Sequence, residues 1–264
     1  STFLTQDLPR RRILSIVEDH VFLPKLSEWA TTHPRSFVHA IWPSLKRLLT
    51  PFAKSTLRFP GFHDELWWDV SEGRDERFTI LGILCLAIAT LAQCEPESFF
   101  AWVDQNGSST LLTLQKLMML GMLVAGESRP DRIVEPLRAD LRRLVMNDGA
   151  TIGAFSRRWL RHVAKKLPAN QQEDLAALIR TWSPLDPLPS DWVPKQRRSH
   201  HAFVRLQRLR LLLRLDQSKI HRVDRMLIES ERRALEVGPY LDRESPAFNV
   251  KRADSRMSVS QMVK

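Results

Sequence analysis

Residues 78–92 read FTILGILCLAIATLA, fifteen positions without a charge, with Arg77 just before and Glu95 and Glu97 just after. A membrane-spanning helix takes about 20 apolar residues, so the run is too short to span and is expected to be a central helix covered by others. A second run, LLTLQKLMMLGMLVAG at 111–126, has the same character. Helices apolar on nearly every face sit in the middle of a bundle, while amphipathic ones wrap them. Two adjacent runs of this kind therefore predict central helices over 76–93 and 110–125.

The rest of the chain supports an all-α reading. Apolar residues make up 43% and charged residues 27% of the 264 positions, with nine glycines and one tyrosine. Leucine, alanine and arginine favour helix, and no sustained alternation of period two points to strands. Breakers divide the sequence into further helices near 10–20, 22–31, 35–54 (carrying Pro43), 130–146, 151–166 and 171–182, with Pro96 in the first turn of another. Ser108 or Ser109 and Asn170 are expected as N-caps. Short loops imply antiparallel neighbours. No repeat of solenoid length is evident. The fold expected is an irregular multi-helix bundle with two central apolar helices and a long basic C-terminal helix after a Pro-rich connector.

Four divisions follow from composition: a helical body over 1–183, a Pro-rich then basic connector over 184–200, a long basic amphipathic helix over 201–237, and a flexible tail over 238–264. The connector holds Pro184, Pro187, Pro189 and Pro194, each fixing φ and removing a donor.

Charge is concentrated near the carboxy end. Residues 1–194 hold 23 Lys and Arg against 22 Asp and Glu, whereas residues 195–225 hold ten against Asp216 and Asp224 alone. A basic segment beside a near-neutral remainder is suited to a polyanion. Lys195, Arg197, Arg198, Arg205, Arg208, Arg210, Arg214, Lys219, Arg222 and Arg225 are the candidate nucleic-acid-binding residues. Arginine's planar fork matches phosphate, and such contacts set position without reading bases. Trp192 and Phe203 flank the cluster as candidate stacking rings, against the alternative that they simply pack. Arg142 and Arg143, Arg157, Arg158, Arg161, His162, Lys165 and Lys166, and Arg10 to Arg12 form possible further basic groups.

The same C-terminal helix carries Leu206, Leu209, Leu213, Ile220, Val223 and Leu227 at nearly heptad spacing, interrupted at Asp216 and Ser230. This candidate seam fits the protein's own body or a partner helix. Asp216 on such a seam needs a cationic partner, for which an arginine of the facing helix would serve.

An enzyme is not expected. There is no HExxH, CxxC, P-loop, GxSxG or glycine fingerprint. The densest titratable stretch, HDELWWDVSEGRDER at 63–77, places His63, Asp64 and Asp69 together without a known ligand spacing, and no metal or cofactor is expected. Cys85 and Cys94, about 13.5 Å apart along a helix, are too distant for a disulfide and read as small core residues of a reducing compartment. The first residues are polar and then basic, so a secretory leader is not expected. The function expected is that of a non-enzymatic, cytoplasmic subunit of a larger assembly, binding DNA or RNA without sequence preference. The rival expectation is a protein–protein adaptor that docks a partner through the seam.

Overall fold

In the computed structural model the residues described are 22–53, 80–146, 153–183 and 190–235. These residues form ten α-helices and no strand, and no helix among them is long and apolar enough to cross a membrane. They divide into two compact units, one of residues up to Ala125 and one from Gly126 onward. The expected boundary at 183/184 falls inside the second unit.

The first unit holds α1 (Phe22–Thr32), α2 (Pro34–Leu49), α3 (Ile80–Cys94), α4 (Pro96–Asn106) and α5 (Leu112–Ala125). Pro34 and Pro96 occupy first helical positions, where a missing N–H costs nothing. Pro43 stays within a continuous α2, its ring exposed. As expected from its sequence, α3 is central and packs on α1, α2, α4 and α5. Ile83, Leu84, Ala87, Ile88 and Leu91 are buried there. Leu86 remains exposed, Cys85 is half-buried and Cys94 is exposed, so the reading of both cysteines as core residues is corrected: α3 keeps one side open, and Cys94 ends it.

Helix α5 is buried almost throughout, Gln115 and Lys116 included. Gln115 Nε2 donates to the carbonyls of Gly107 (3.2 Å) and Ser109 (2.6 Å), which ties down the α4–α5 loop. Ser109 Oγ accepts from Leu111 N just before α5 begins. An aromatic group joins α2 to α4: Trp42 and Trp102 meet edge-to-face at 6.0 Å, and Trp42 Nε1 donates to Asn106 Oδ1 at 3.1 Å. At Gly121 an added Cβ would lie 2.3 Å from the Phe99 ring, so glycine is what lets α5 approach α4 here.

The second unit holds α6 (Val134–Ala139), α7 (Ala154–Val163), α8 (Ala169–Thr181), α9 (Pro194–Leu212) and α10 (Arg222–Ala234). The single helix expected over 130–146 is instead α6 between two 3₁₀ turns, Pro130–Arg132 and Leu141–Val145. Asp140 explains the interruption. It is extended, and its carboxylate accepts from Arg142 N, a local bond that competes with helical continuation. Asn170 lies in the first turn of α8 and Pro168 precedes that helix without a side-chain cap, so the cap expected of Asn170 is not formed.

The long helix expected over 201–237 is two helices. α9 begins at Pro194, inside the stretch assigned to the connector, and α10 begins at Arg222. Side chains between them take over the backbone's partners. Asp216 Oδ1 accepts from Ser218 N (3.0 Å) and from the Ser218 hydroxyl (2.7 Å). Gln217 Nε2 donates to the carbonyls of Leu212 and Leu215. The candidate seam is therefore broken. Leu209 and Ile220 are buried, Leu206, Leu213 and Leu227 half-buried, and Val223 is 68% exposed. Val204, Leu211, Leu212, Leu215 and Ile228 carry the burial instead.

Beneath this hairpin, Gln172 is fully buried on α8. Its Nε2 donates to Ala164 O (2.7 Å) and Leu167 O (3.2 Å), and its Oε1 accepts from Asp216 N (2.9 Å). One amide thus joins the α7–α8 turn to the α9–α10 turn. Asp224, also fully buried, pairs with Arg180 of α8. The arginine expected opposite the seam's carboxylate is present, but it serves Asp224. Asp216 sits part-exposed in the turn.

Candidate nucleic-acid interface

Residues 190–235 hold twelve Lys and Arg against five Asp and Glu. The ten candidate residues separate into an outer and an inner set. Lys195, Arg197, Arg198, Arg205, Arg222 and Arg225 are exposed; Arg208, Arg210 and Lys219 are half-buried, and Arg214 is buried. Burial lowers the pKa of the Arg208 and Arg210 guanidinium groups from the usual arginine value. Leu209 and Ile220 of the seam share the packed side of the hairpin with the inner cations while Val223 is exposed, so the broad cationic back expected of one long helix is confined to shorter surfaces.

The outer set is densest on the first half of α9. A helix turns 100° per residue, so Lys195, Arg198, His201 and Arg205 fall on one ridge, and all four are exposed. Arg205 Nε donates to Glu231 of α10 at 2.8 Å. Lys195 and Arg198 form no ion pair among the described residues. Glu231 lies in the last third of α10, whose final turn adds Arg232 and Arg233. Sequence reasoning assigned those two to the near-neutral remainder; their place at the end of a helix antiparallel to α9 was the signal it missed.

Other cations are held by carbonyl groups. Arg197 donates to Trp192 O (3.0 Å) and Ser190 O (3.3 Å). Arg208 Nε donates to Trp182 O at 2.7 Å, and Lys219 Nζ to Leu167 O at 3.2 Å. Arg225 Nη1 donates to Gln217 O and Ile220 O. A carbonyl fixes such a group without cancelling its charge. Lys219 has, in addition, Asp216 Oδ2 at 3.8 Å.

Trp192 is half-buried and meets His200 edge-to-face at 5.4 Å. His200 is 2% exposed, and burial followed by repulsion from His201 lowers its pKa below the usual 6.5. Phe203 is half-buried.

The further basic groups are only partly surface features. Arg143 and Arg157 are buried; Arg143 donates to Pro136 O, and Arg157 to Gln207 Oε1 of α9 at 3.4 Å. Arg142 pairs with Asp140. Burial alone would raise the Asp140 carboxyl, but the Arg142 hydrogen bonds and charge outweigh it and hold the group below the carboxylate range. Arg158, Arg161, His162, Lys165 and Lys166 are exposed on α7 and the turn after it, with Lys166 paired to Glu127. Arg10 to Arg12, His63, Asp64, Asp69 and the tail over 238–264 lie outside the described residues. Among those described, no group of three or more His, Cys, Asp or Glu is placed to hold a metal ion.

Comparison with known proteins adds no relative: no family model, curated protein or solved structure matches the chain.

Proposed function

We propose that the protein is a non-enzymatic nucleic-acid-binding subunit that engages phosphates through the first half of α9. The observation that carries this reading is the ridge of Lys195, Arg198, His201 and Arg205, supported by cations such as Arg197 that are fixed by carbonyl oxygens and keep their charge. Phosphate contacts of this kind hold a strand in place and give no base preference. The inner cations Arg208, Arg210, Arg214 and Lys219 serve the protein's own packing and add to the field, not to the contact surface.

The test is salt-dependent binding of the full chain to labelled DNA and RNA. If Lys195, Arg197 and Arg198 neutralise three phosphates, Arg205 being paired with Glu231, the log–log slope on duplex is about −3. Reversing Lys195→Glu and Arg198→Glu together reduces that slope by about 2 and weakens binding equally across sequences. No binding at low salt, or binding untouched by the double reversal, overturns the reading. One observation favours a second reading, a docking face for a partner protein: Val223 and Met226 stand 68% and 61% exposed on α10. Capture of a partner that Val223→Glu abolishes, without nucleic-acid binding, would put that reading first.

A further inference from the structure

We propose, resting on the phosphate-binding reading above, that the strand bound is single-stranded and that Trp192 is its base-stacking platform. Three observations converge at this residue.

The first is exposure. The other tryptophans of this unit, Trp159 and Trp182, are 2% and 1% exposed and belong to the core. Trp192 is only half-buried. Its neighbour Val193 is 55% exposed. Trp192 thus keeps part of its surface in water, as neither core tryptophan does.

The second is that the ring is held ready. Residues 190–193 form no helix, yet they are clamped onto the first turns of α9. Arg197 donates to Trp192 O and Ser190 O, and Val193 N donates to Gln196 Oε1 at 3.0 Å. The buried His200 supports the ring edge-to-face. An aromatic side chain fixed before binding spares the cost of ordering it on binding.

The third is company. Lys195, Arg198 and His201 are exposed within three helical turns of Trp192. Non-specific single-strand sites pair cations that track the backbone with aromatic faces that take unstacked bases. In a duplex the bases are already stacked on one another, so Trp192 offers a duplex nothing that the cations do not. The ring of the exposed His201 lies 6.1 Å from that of His200.

The experiment compares three probes on the full chain by fluorescence anisotropy: oligo-dT, a duplex of equal length, and an abasic strand with the same number of phosphates. Wild-type protein is expected to bind oligo-dT about tenfold or more tightly than the abasic strand, since stacking on one ring is of that order per base. Trp192→Leu is expected to remove that advantage while leaving duplex affinity and its salt slope unchanged, and Trp192→Phe to restore most of it. Equal binding of oligo-dT and the abasic strand by the wild type overturns the inference without any variant. Duplex binding with its full salt slope, and no effect of Trp192→Leu on oligo-dT, overturns the stacking role and leaves the phosphate reading standing. No binding to any probe overturns both.

Discussion

Replacing Gln172 by leucine should loosen the turn between α9 and α10. The amide makes three hydrogen bonds inside the protein: to Ala164 O, to Leu167 O, and from Asp216 N. In Gln172→Leu, Leu167 O keeps the Lys219 ammonium. Ala164 O and Asp216 N each lose the bond that Gln172 supplies. A buried polar group stripped of its partner costs about 1–3 kcal/mol, so two give about 2–6 kcal/mol, less what relaxation and water recover. The assay is native-state hydrogen exchange read by mass spectrometry, on peptides covering 164–170 and 212–218. Because about 1.4 kcal/mol is tenfold, a loss of ~2 kcal/mol accelerates exchange about thirtyfold in both peptides, although they are distant in sequence. Gln172→Glu should be no milder, since a carboxylate still accepts from Asp216 N but donates to neither carbonyl. Acceleration in one peptide alone, or below about threefold in both, would refute the claim that one amide couples the two turns.

Three other outcomes can be checked by denaturation. Arg180→Met strands the Asp224 carboxylate in a fully buried site and should cost about 3–5 kcal/mol; the double variant Arg180→Met/Asp224→Leu should recover most of that loss. Gly153 has φ +71° before α7, with Arg157 Nη1 and Gln207 Oε1 3.1 and 3.4 Å from where a Cβ would stand, so Gly153→Ala should lose about 1–2 kcal/mol. His200 titrates below 6.5 because it is buried and faces His201. The unfolded chain therefore takes up this proton first, and stability falls as pH drops through about 6.5 toward the lower folded value; melting temperatures between pH 8 and 5 should fall less in His200→Gln.

Much of the architecture was legible because it rested on strong local signals. Pro96 opens α4, Asn106-Gly107 closes it, and the two apolar runs became α3 and a buried α5. Hydrophobic period misled at the carboxy end. The leucines from 206 to 227 kept a nearly heptad rhythm through Asp216, Gln217 and Ser218, whose side chains bind the local backbone and end α9. Asp140 did the same inside an expected helix. The candidate site was legible as a charge total and not as a surface. Sequence shows that Arg208 and Arg198 are both arginines; only packing tells that one donates to Trp182 O while the other faces solvent. The buried pair of Arg180 and Asp224 was foreseen in kind, an arginine opposite a carboxylate, but at the wrong carboxylate.

The bonds from Arg208 to Trp182 O and from Lys219 to Leu167 O bear on where this polypeptide can be cut. Both acceptors lie just beyond the ends of α8 and α7 and precede the prolines of 184–189, while both donors follow them. A fragment trimmed at those prolines would retain both carbonyl oxygens but lose the Arg208 and Lys219 groups that donate to them, and would bare the surface that Leu209, Leu211 and Leu212 had covered. The sensible place to divide the chain for separate expression is therefore near Gly126.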